Sequence, residues 1–143
     1  MKVLLAPDVY VNASVSGTGF APTQVVNRVL GNEKMRAKTT EWILSTAEAM
    51  LNAHPNFKKE AIEPQMKLIR DLCDIVEPEE HDPADWTAAL VAAAKATDVE
   101  RVITDHPDLA DTDVEDGIEF LSSDAWMIEQ QTPPPPPPPP KKD

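Results

Sequence analysis

Near its start the chain reads Val3-Leu4-Leu5-Ala6-Pro7-Asp8, an apolar run that ends at a proline and a carboxylate. A continuous apolar run of this length, opened by a β-branched residue, predicts a short strand that is buried on both faces. A second strand is predicted at Arg101-Val102-Ile103-Thr104, which is followed directly by Asp105. We therefore expect two strands, each with an aspartate just beyond its carboxyl end.

Predicted helices alternate with these strands along the chain. The spacing of apolar residues predicts helices over residues 22–30, 39–53, 62–73 and 82–97, and further strands over residues 74–76 and 117–121. Asp82 is the expected N-cap of the last of these helices, because a proline follows it. The alternation predicts an α/β fold, a three-layer α/β/α sandwich with a central parallel sheet. Ligands bind beyond the carboxyl ends of such strands, where we expect Asp8, Asp105 and Asp85 to gather.

Length and composition limit the classes of protein. The 143 residues support one domain, and 41% hydrophobic against 5% aromatic residues predicts an aliphatic core. The single Cys73 excludes an internal disulfide and a cysteine-based zinc site, and its place on an apolar helix face predicts a core position. No apolar run approaches the roughly 20 residues of a membrane span, and no signal peptide is visible, so we expect a cytoplasmic protein without membrane association.

The formal charge of −12 is unevenly distributed. Residues 1–70 hold nine Lys and Arg against six Asp and Glu, whereas residues 71–143 hold four against 19. Domains that bind polyanions nonspecifically have a basic face. The excess of acids in residues 71–143 therefore argues against nonspecific polyanion binding by that half of the chain. Ten carboxylates lie between Asp98 and Asp124. They form either a solvated face or, in part, a site for a divalent metal.

The last 16 residues differ in composition from the rest. We expect a domain over residues 1–127 and a flexible tail over residues 128–143. In that tail Thr132 precedes eight consecutive prolines and then Lys141-Lys142-Asp143. The proline tract predicts a polyproline II rod of about 25 Å. Such a rod is either a docking ligand for an aromatic-lined groove or a solvated spacer.

Several segments, each a weak motif by itself, occur in a specific order along the chain. They are residues 3–14, 40–51, 54–57, 74–78, 82–86, 101–109 and 117–121. Together they resemble the PIN-domain family, and within it the toxin-like ribonucleases of toxin–antitoxin pairs, over about residues 2–127. The resemblance implies a PIN-like fold and a metal-dependent endoribonuclease that uses Mg²⁺ or Mn²⁺.

The resemblance also implies which residues hold the metal. Asp8 matches the family's first acid and Asp85 the third, while Asp105 and Asp108 flank the fourth position, which is His106 here. Asp8, Asp85, Asp105 and Asp108 are therefore the expected catalytic and metal-binding residues. Other roles stay open, because Asp85 can instead stabilise a helix start and Asp105 can instead cap the turn that follows it.

Besides His106 at the fourth acid position, two further departures from the family pattern weaken the expected metal site. The family's second acid falls on Thr46, and the polar residue two positions after the first acid is Tyr10. Two carboxylates hold one hydrated Mg²⁺ weakly, and a two-metal arrangement needs the missing acid. If the carboxylates of Asp8, Asp85 and either Asp105 or Asp108 do not approach within about 4–6 Å of a common point, a shared metal becomes improbable.

Two functions from different classes are consistent with these residues. The first is a metal-dependent endoribonuclease with a weakened site, which binds RNA on basic residues and pairs with an antitoxin. The basic residues in question are Arg28, Lys34, Arg36 and Lys38. The second is a non-catalytic protein-interaction module that keeps the PIN fold and docks partners through its surface or its polyproline tail. The resemblance further implies a homodimer.

Overall fold

The computed structural model describes residues 3–16, 19–31, 37–55, 57–78, 82, 84–110 and 117–131. It is a mixed α/β structure whose strands are short and parallel. The strands are β1 Leu4–Leu5, β2 Ala37–Thr39, β3 Cys73–Ile75, β4 Arg101–Ile103 and β5 Glu119–Leu121. The helices are α1 Pro7–Val15, α2 Ala21–Leu30, α3 Glu41–Ala53, α4 Ile62–Leu72, α5 Trp86–Ala96 and α6 Ser123–Gln131, with a 3₁₀ turn at Lys59–Ala61.

Two parallel sheets form the centre of the fold. β4 lies between β1 and β5, with Val102 opposite Leu4 on one side and Phe120 on the other. β2 pairs with β3, and β2 also lies against β1. The parallel α/β class predicted from the alternation of elements is confirmed. The carboxyl ends of β1 and β4 lie side by side, since the amide of Ala6 donates to the carbonyl of Ile103 at 3.0 Å.

Helices α3 and α5 begin at side chains that cap them. The Thr40 hydroxyl accepts a hydrogen bond from the amide of Ile43, as the predicted start of that helix requires. The predicted start at Asp82 is wrong by three residues. The Asp82 carboxylate instead accepts from the amide of Ala84 in a turn, and Asp85 caps α5.

Two helices and one strand are absent from the sequence-based prediction. Helix α1 follows β1 without a loop, and its residues 7–11 are all buried, so it shows no amphipathic pattern. Strand β2 precedes α3, and its middle residue Lys38 is exposed. Helix α6 continues to Gln131, four residues past the expected end of the domain at Met127. The rest of the tail, residues 132–143, lies outside the described residues.

The core lies between the sheets and the helices. Its largest fully buried side chains are Tyr10, Phe120, Leu4, Leu5, Ile43, Leu44, Leu51, Leu90, Ile103, Val9, Val25 and Val102. Cys73 is buried, which confirms its expected core position, and Trp126 is also buried. Across the described ranges, no helix has the length and apolar character needed to cross a bilayer.

Candidate functional site

Asp8 is the second residue of α1, directly beyond β1, and it is only 7% exposed. Both of its carboxylate oxygens accept hydrogen bonds from the end of β4. The Thr104 hydroxyl donates to Oδ1 at 2.8 Å, and the amide of Asp105 donates to Oδ2 at 2.6 Å. Asp8 therefore links the carboxyl ends of β1 and β4, and its position at a helix N-terminus favours a negative charge there.

Burial nevertheless raises the pKa of Asp8 above its usual value of 3.8. Loss of hydration is the largest cause, because it disfavours the charged form. The hydrogen bonds from Thr104 and from the amide of Asp105 act in the opposite direction, and the negative charge of Asp105 raises the pKa further. The charged form of Asp8 is thus held by the protein's own donors against a net cost of burial.

The Asp105 carboxylate turns toward α6. Its Oδ1 accepts from the amide of Ser123 at 2.7 Å, and its Oδ2 accepts from the hydroxyl of the same residue at 2.6 Å. Ser123 is the first residue of α6 and is buried. Asp105 therefore fixes the start of α6 to the end of β4.

Asp85 and Asp108 line a cleft beside these buried contacts. The cleft has a volume of about 430 Å³, and its lining also includes Asp82, Trp86 and His106. The Asp85 carboxylate accepts from the amide of Ala88 at 3.1 Å, so its role as a helix cap is observed. The amide of Asp108 donates to Nδ1 of His106 at 3.2 Å, so the turn after β4 fixes this ring in the cleft.

Three aromatic side chains contact one another in a row, and two of them, Trp86 and His106, line this cleft. The rings of Trp42 and Trp86 meet edge to face, with their centroids 5.6 Å apart, and the centroid of the His106 ring lies 5.2 Å from that of Trp86. Such contacts orient the Trp86 ring. The sequence gives no signal for this row, because its three members are far apart in the chain.

The expected metal residues therefore occur as two pairs. Asp8 and Asp105 lie together beyond β1 and β4, where each oxygen already accepts a hydrogen bond, whereas Asp85 and Asp108 line the cleft. Within the described ranges, no three His, Cys, Asp or Glu side chains are arranged to hold a metal ion. The donor set fits Mg²⁺ or Mn²⁺ poorly, since such ions need several oxygens free to converge on one point.

Of the other positions that depart from the family pattern, Tyr10 lies in the core and Thr46 lies on α3. Tyr10 is 1% exposed, and its hydroxyl lies 3.9 Å from Sγ of Cys73 in a buried contact. Burial raises the pKa of Tyr10 well above its usual value. Thr46 is half-buried on α3. Of the basic residues expected to contact RNA, Arg28 and Lys38 are exposed, while Lys34 and Arg36 lie outside the described residues.

Comparison of the sequence with protein-family models and with curated proteins found no match. The PIN assignment is therefore a prediction from the sequence resemblance alone.

Proposed function

We propose that this chain is a non-catalytic protein-interaction module on a PIN-like fold. One observation supports this most directly: all four oxygens of Asp8 and Asp105 accept hydrogen bonds from the chain itself. A metal-dependent nuclease needs carboxylates that converge on the cation and align a water molecule. Here the carboxylates at the strand ends join β1, β4 and α6 instead.

The sheet arrangement supports the PIN-like part of the proposal. The pairing of β1, β4 and β5, the pairing of β2 and β3, and the contact of β2 with β1 are consistent with one parallel sheet in the order β3-β2-β1-β4-β5. Helices in the connections between parallel strands cover such a sheet on its faces. A three-layer sandwich is therefore the arrangement that we propose for the domain.

A weakened endoribonuclease is the second candidate, and one observation favours it. The charge of Asp105 raises the pKa of Asp8, so two carboxylates lie close together at the edge where α/β proteins bind ligands. In that case Asp8 and Asp85, with Asp105 or Asp108 completing the shell, would hold Mg²⁺ or Mn²⁺, and RNA would be the substrate. An antitoxin and a homodimer belong to this second candidate.

RNA cleavage assays separate the two candidates. The intact protein is incubated with a structured and an unstructured RNA in Mg²⁺, in Mn²⁺ and without metal. The double variant Asp8→Asn, Asp85→Asn is compared with Glu60→Gln, Glu63→Gln, which changes two exposed carboxylates far along the chain from the site. Asp85→Asn alone serves if the double variant does not fold, as judged by circular dichroism.

We expect the same low background of RNA cleavage from every protein in every metal condition. Metal-dependent cleavage by the intact protein and by the Glu60→Gln, Glu63→Gln control, lost in the aspartate variants, would overturn the proposal in favour of the nuclease. Metal-dependent cleavage that all variants retain would indicate a contaminant, and purification to constant specific activity would then remove it.

A further inference from the structure

The cleft between α5 and the turn after β4 combines an aromatic wall with an acidic rim. Trp86 and His106 provide rings, and Leu109 adds an apolar surface. Asp82, Asp85 and Asp108 are exposed, and within the described part of the chain none of them forms an ion pair. No Lys or Arg is among the described residues that line the cleft. The cleft is therefore negatively charged and partly apolar.

This combination favours a particular chemical class of ligand. Proline rings pack on the faces of Trp and other aromatic side chains, and extended proline-rich segments lose little conformational entropy when they bind. A Lys ammonium is attracted both by the face of an indole and by carboxylates. A proline-rich segment that carries lysines thus satisfies the rings and the acids of the cleft together.

The chain carries such a segment. Residues 133–140 are all proline, and Lys141 and Lys142 follow directly. These lysines are two of only four basic residues in the acidic half of the chain. Residues 132–143 lie outside the described residues, and they follow directly on Gln131 at the end of α6.

The point of attachment lies within reach of the cleft. Helix α6 starts at Ser123, which is bonded to Asp105, and Asp105 adjoins His106 in the cleft. The nine residues of α6 carry the chain only about 13 Å from that point, at about 1.5 Å per residue. Eight prolines span about 25 Å, so a tail that turns back after Gln131 is long enough to bring its lysines to the cleft.

We propose that this cleft binds the chain's own C-terminal segment, with prolines on Trp86 and His106 and with Lys141 and Lys142 beside Asp82, Asp85 and Asp108. The inference rests on the proposed interaction module and names its ligand class: a basic, proline-rich segment. Tethering gives the tail an effective concentration near the millimolar range, so it binds in its own chain even if its intrinsic affinity is weak. A partner with a similar segment then has to displace the tail.

Paramagnetic broadening in the full-length protein tests this proposal. A nitroxide is attached to an Asp143→Cys variant, and amide and indole resonances of the ¹⁵N-labelled chain are recorded with the label oxidised and reduced. Cys73 is buried, and the unsubstituted protein treated with the same reagent shows whether it reacts. We expect selective broadening of Trp86, His106 and Leu109 and no broadening of α4.

A charge reversal provides the matched comparison. Lys141→Glu, Lys142→Glu in the labelled chain removes the broadening at the cleft. The control Lys58→Glu, Lys59→Glu reverses the charge of another adjacent, exposed pair of lysines. In this control the broadening at the cleft should remain. Uniform broadening over the surface, or cleft broadening that survives the reversal of Lys141 and Lys142, would overturn the proposal.

Mixed samples distinguish the tail's own chain from a second copy. When spin-labelled protein without ¹⁵N is added to ¹⁵N-labelled protein without the spin label, binding within one chain gives no broadening. Broadening at the cleft in this mixture would replace the proposal with docking between two copies. A nuclease result leaves this experiment unaffected, because it reports the tail and not cleavage, so the two proposals fail independently.

Discussion

The carboxylate of Asp105 accepts two hydrogen bonds from Ser123 at the start of α6, one from the amide at 2.7 Å and one from the hydroxyl at 2.6 Å. The amide of Asp105 in turn donates to Asp8. One residue therefore connects β1, β4 and α6. The role that the sequence resemblance implies for Asp105, metal binding, competes with a structural role that uses both of its oxygens.

Replacing Asp105 with Ala is expected to destabilise the protein by about 1–3 kcal/mol, because the buried Ser123 loses a charged acceptor for two donors. The lower charge beside Asp8 offsets a small part of this loss. Urea unfolding followed by circular dichroism measures the change. Asp108→Ala is the control, since Asp108 is exposed, and it should change stability by no more than about 0.5 kcal/mol. Equal losses for the two variants would contradict the structural role of Asp105.

The burial of Asp8 makes the free energy of unfolding depend on pH. Its pKa in the folded protein lies above its usual value of 3.8, so the folded state binds the proton more tightly than the unfolded state does. The contribution of Asp8 to stability is therefore greatest below 3.8 and falls as the pH rises through the raised pKa. In Asp8→Asn this fall is absent, while the changed hydrogen bonding adds only a constant offset.

The measurement is the free energy of unfolding between about pH 3 and pH 7 for the protein and the variant, compared as a difference. Glu41→Gln provides a control of opposite sign. Arg70 binds both oxygens of Glu41 and lowers the pKa of that carboxyl below 4.5. Its contribution is present above 4.5 and is lost as the pH falls through the lowered pKa, although solvent exposure keeps it small. Difference curves of the same sign would refute this explanation.

Placing Asn at position 10, where the sequence resemblance implies a polar residue, should destabilise the core rather than create a site. Tyr10 is 1% exposed, and Asn in its place leaves a cavity and buries an amide. Tyr10→Asn is therefore expected to cost about 3–5 kcal/mol. Tyr10→Phe removes only the hydroxyl beside Cys73 and should cost less than about 1 kcal/mol. Thermal unfolding of both variants tests this, and a mild effect of Asn would show that the position tolerates a polar side chain.

Sequence patterns predicted the helices that have one buried face and one exposed face. Helix α3 has buried residues at 43, 44, 47 and 51 and a capping Thr40, so periodicity and cap agree. Helix α1 was not predicted, because residues 7–11 are all buried and so show no amphipathic pattern. Helix α6 did carry a signal, since Ser122 accepts from the amide of Ala125 as an N-terminal cap, but its buried Trp126 and Met127 are too few to show a period.

The candidate site was predictable in position but not in geometry. The sequence placed Asp8 and Asp105 beyond two strands, and parallel pairing brings those strand ends together. The direction of each carboxylate depends on partners far along the chain: Thr104 is 96 residues from Asp8, and Ser123 is 18 residues from Asp105. The contact of Trp86 with His106 likewise arises from packing between α5 and the turn after β4, which no local pattern reveals.

Thr104 offers a test of whether the bond to Asp8 involves a charged acceptor. Its hydroxyl donates to Asp8 at 2.8 Å, whereas the equally buried Thr97 hydroxyl donates to the neutral carbonyl of Ala93, also at 2.8 Å.

Substitution of either threonine by Val keeps the shape of the side chain and removes its hydroxyl. Bonds to charged groups are worth about 1.5–3 kcal/mol and neutral ones about 0.5–1.5 kcal/mol, so Thr104→Val should cost more than Thr97→Val at neutral pH. Protonation of Asp8 removes that advantage, so the gap between the two losses, measured by urea unfolding, should narrow as the pH falls below the raised pKa of Asp8. Part of the gap remains at every pH, because Thr104→Val also removes the acceptor of the His106 amide. A gap between the variants that stays constant with pH would mean that the Thr104 bond is no stronger to the charged form of Asp8 than to the neutral one.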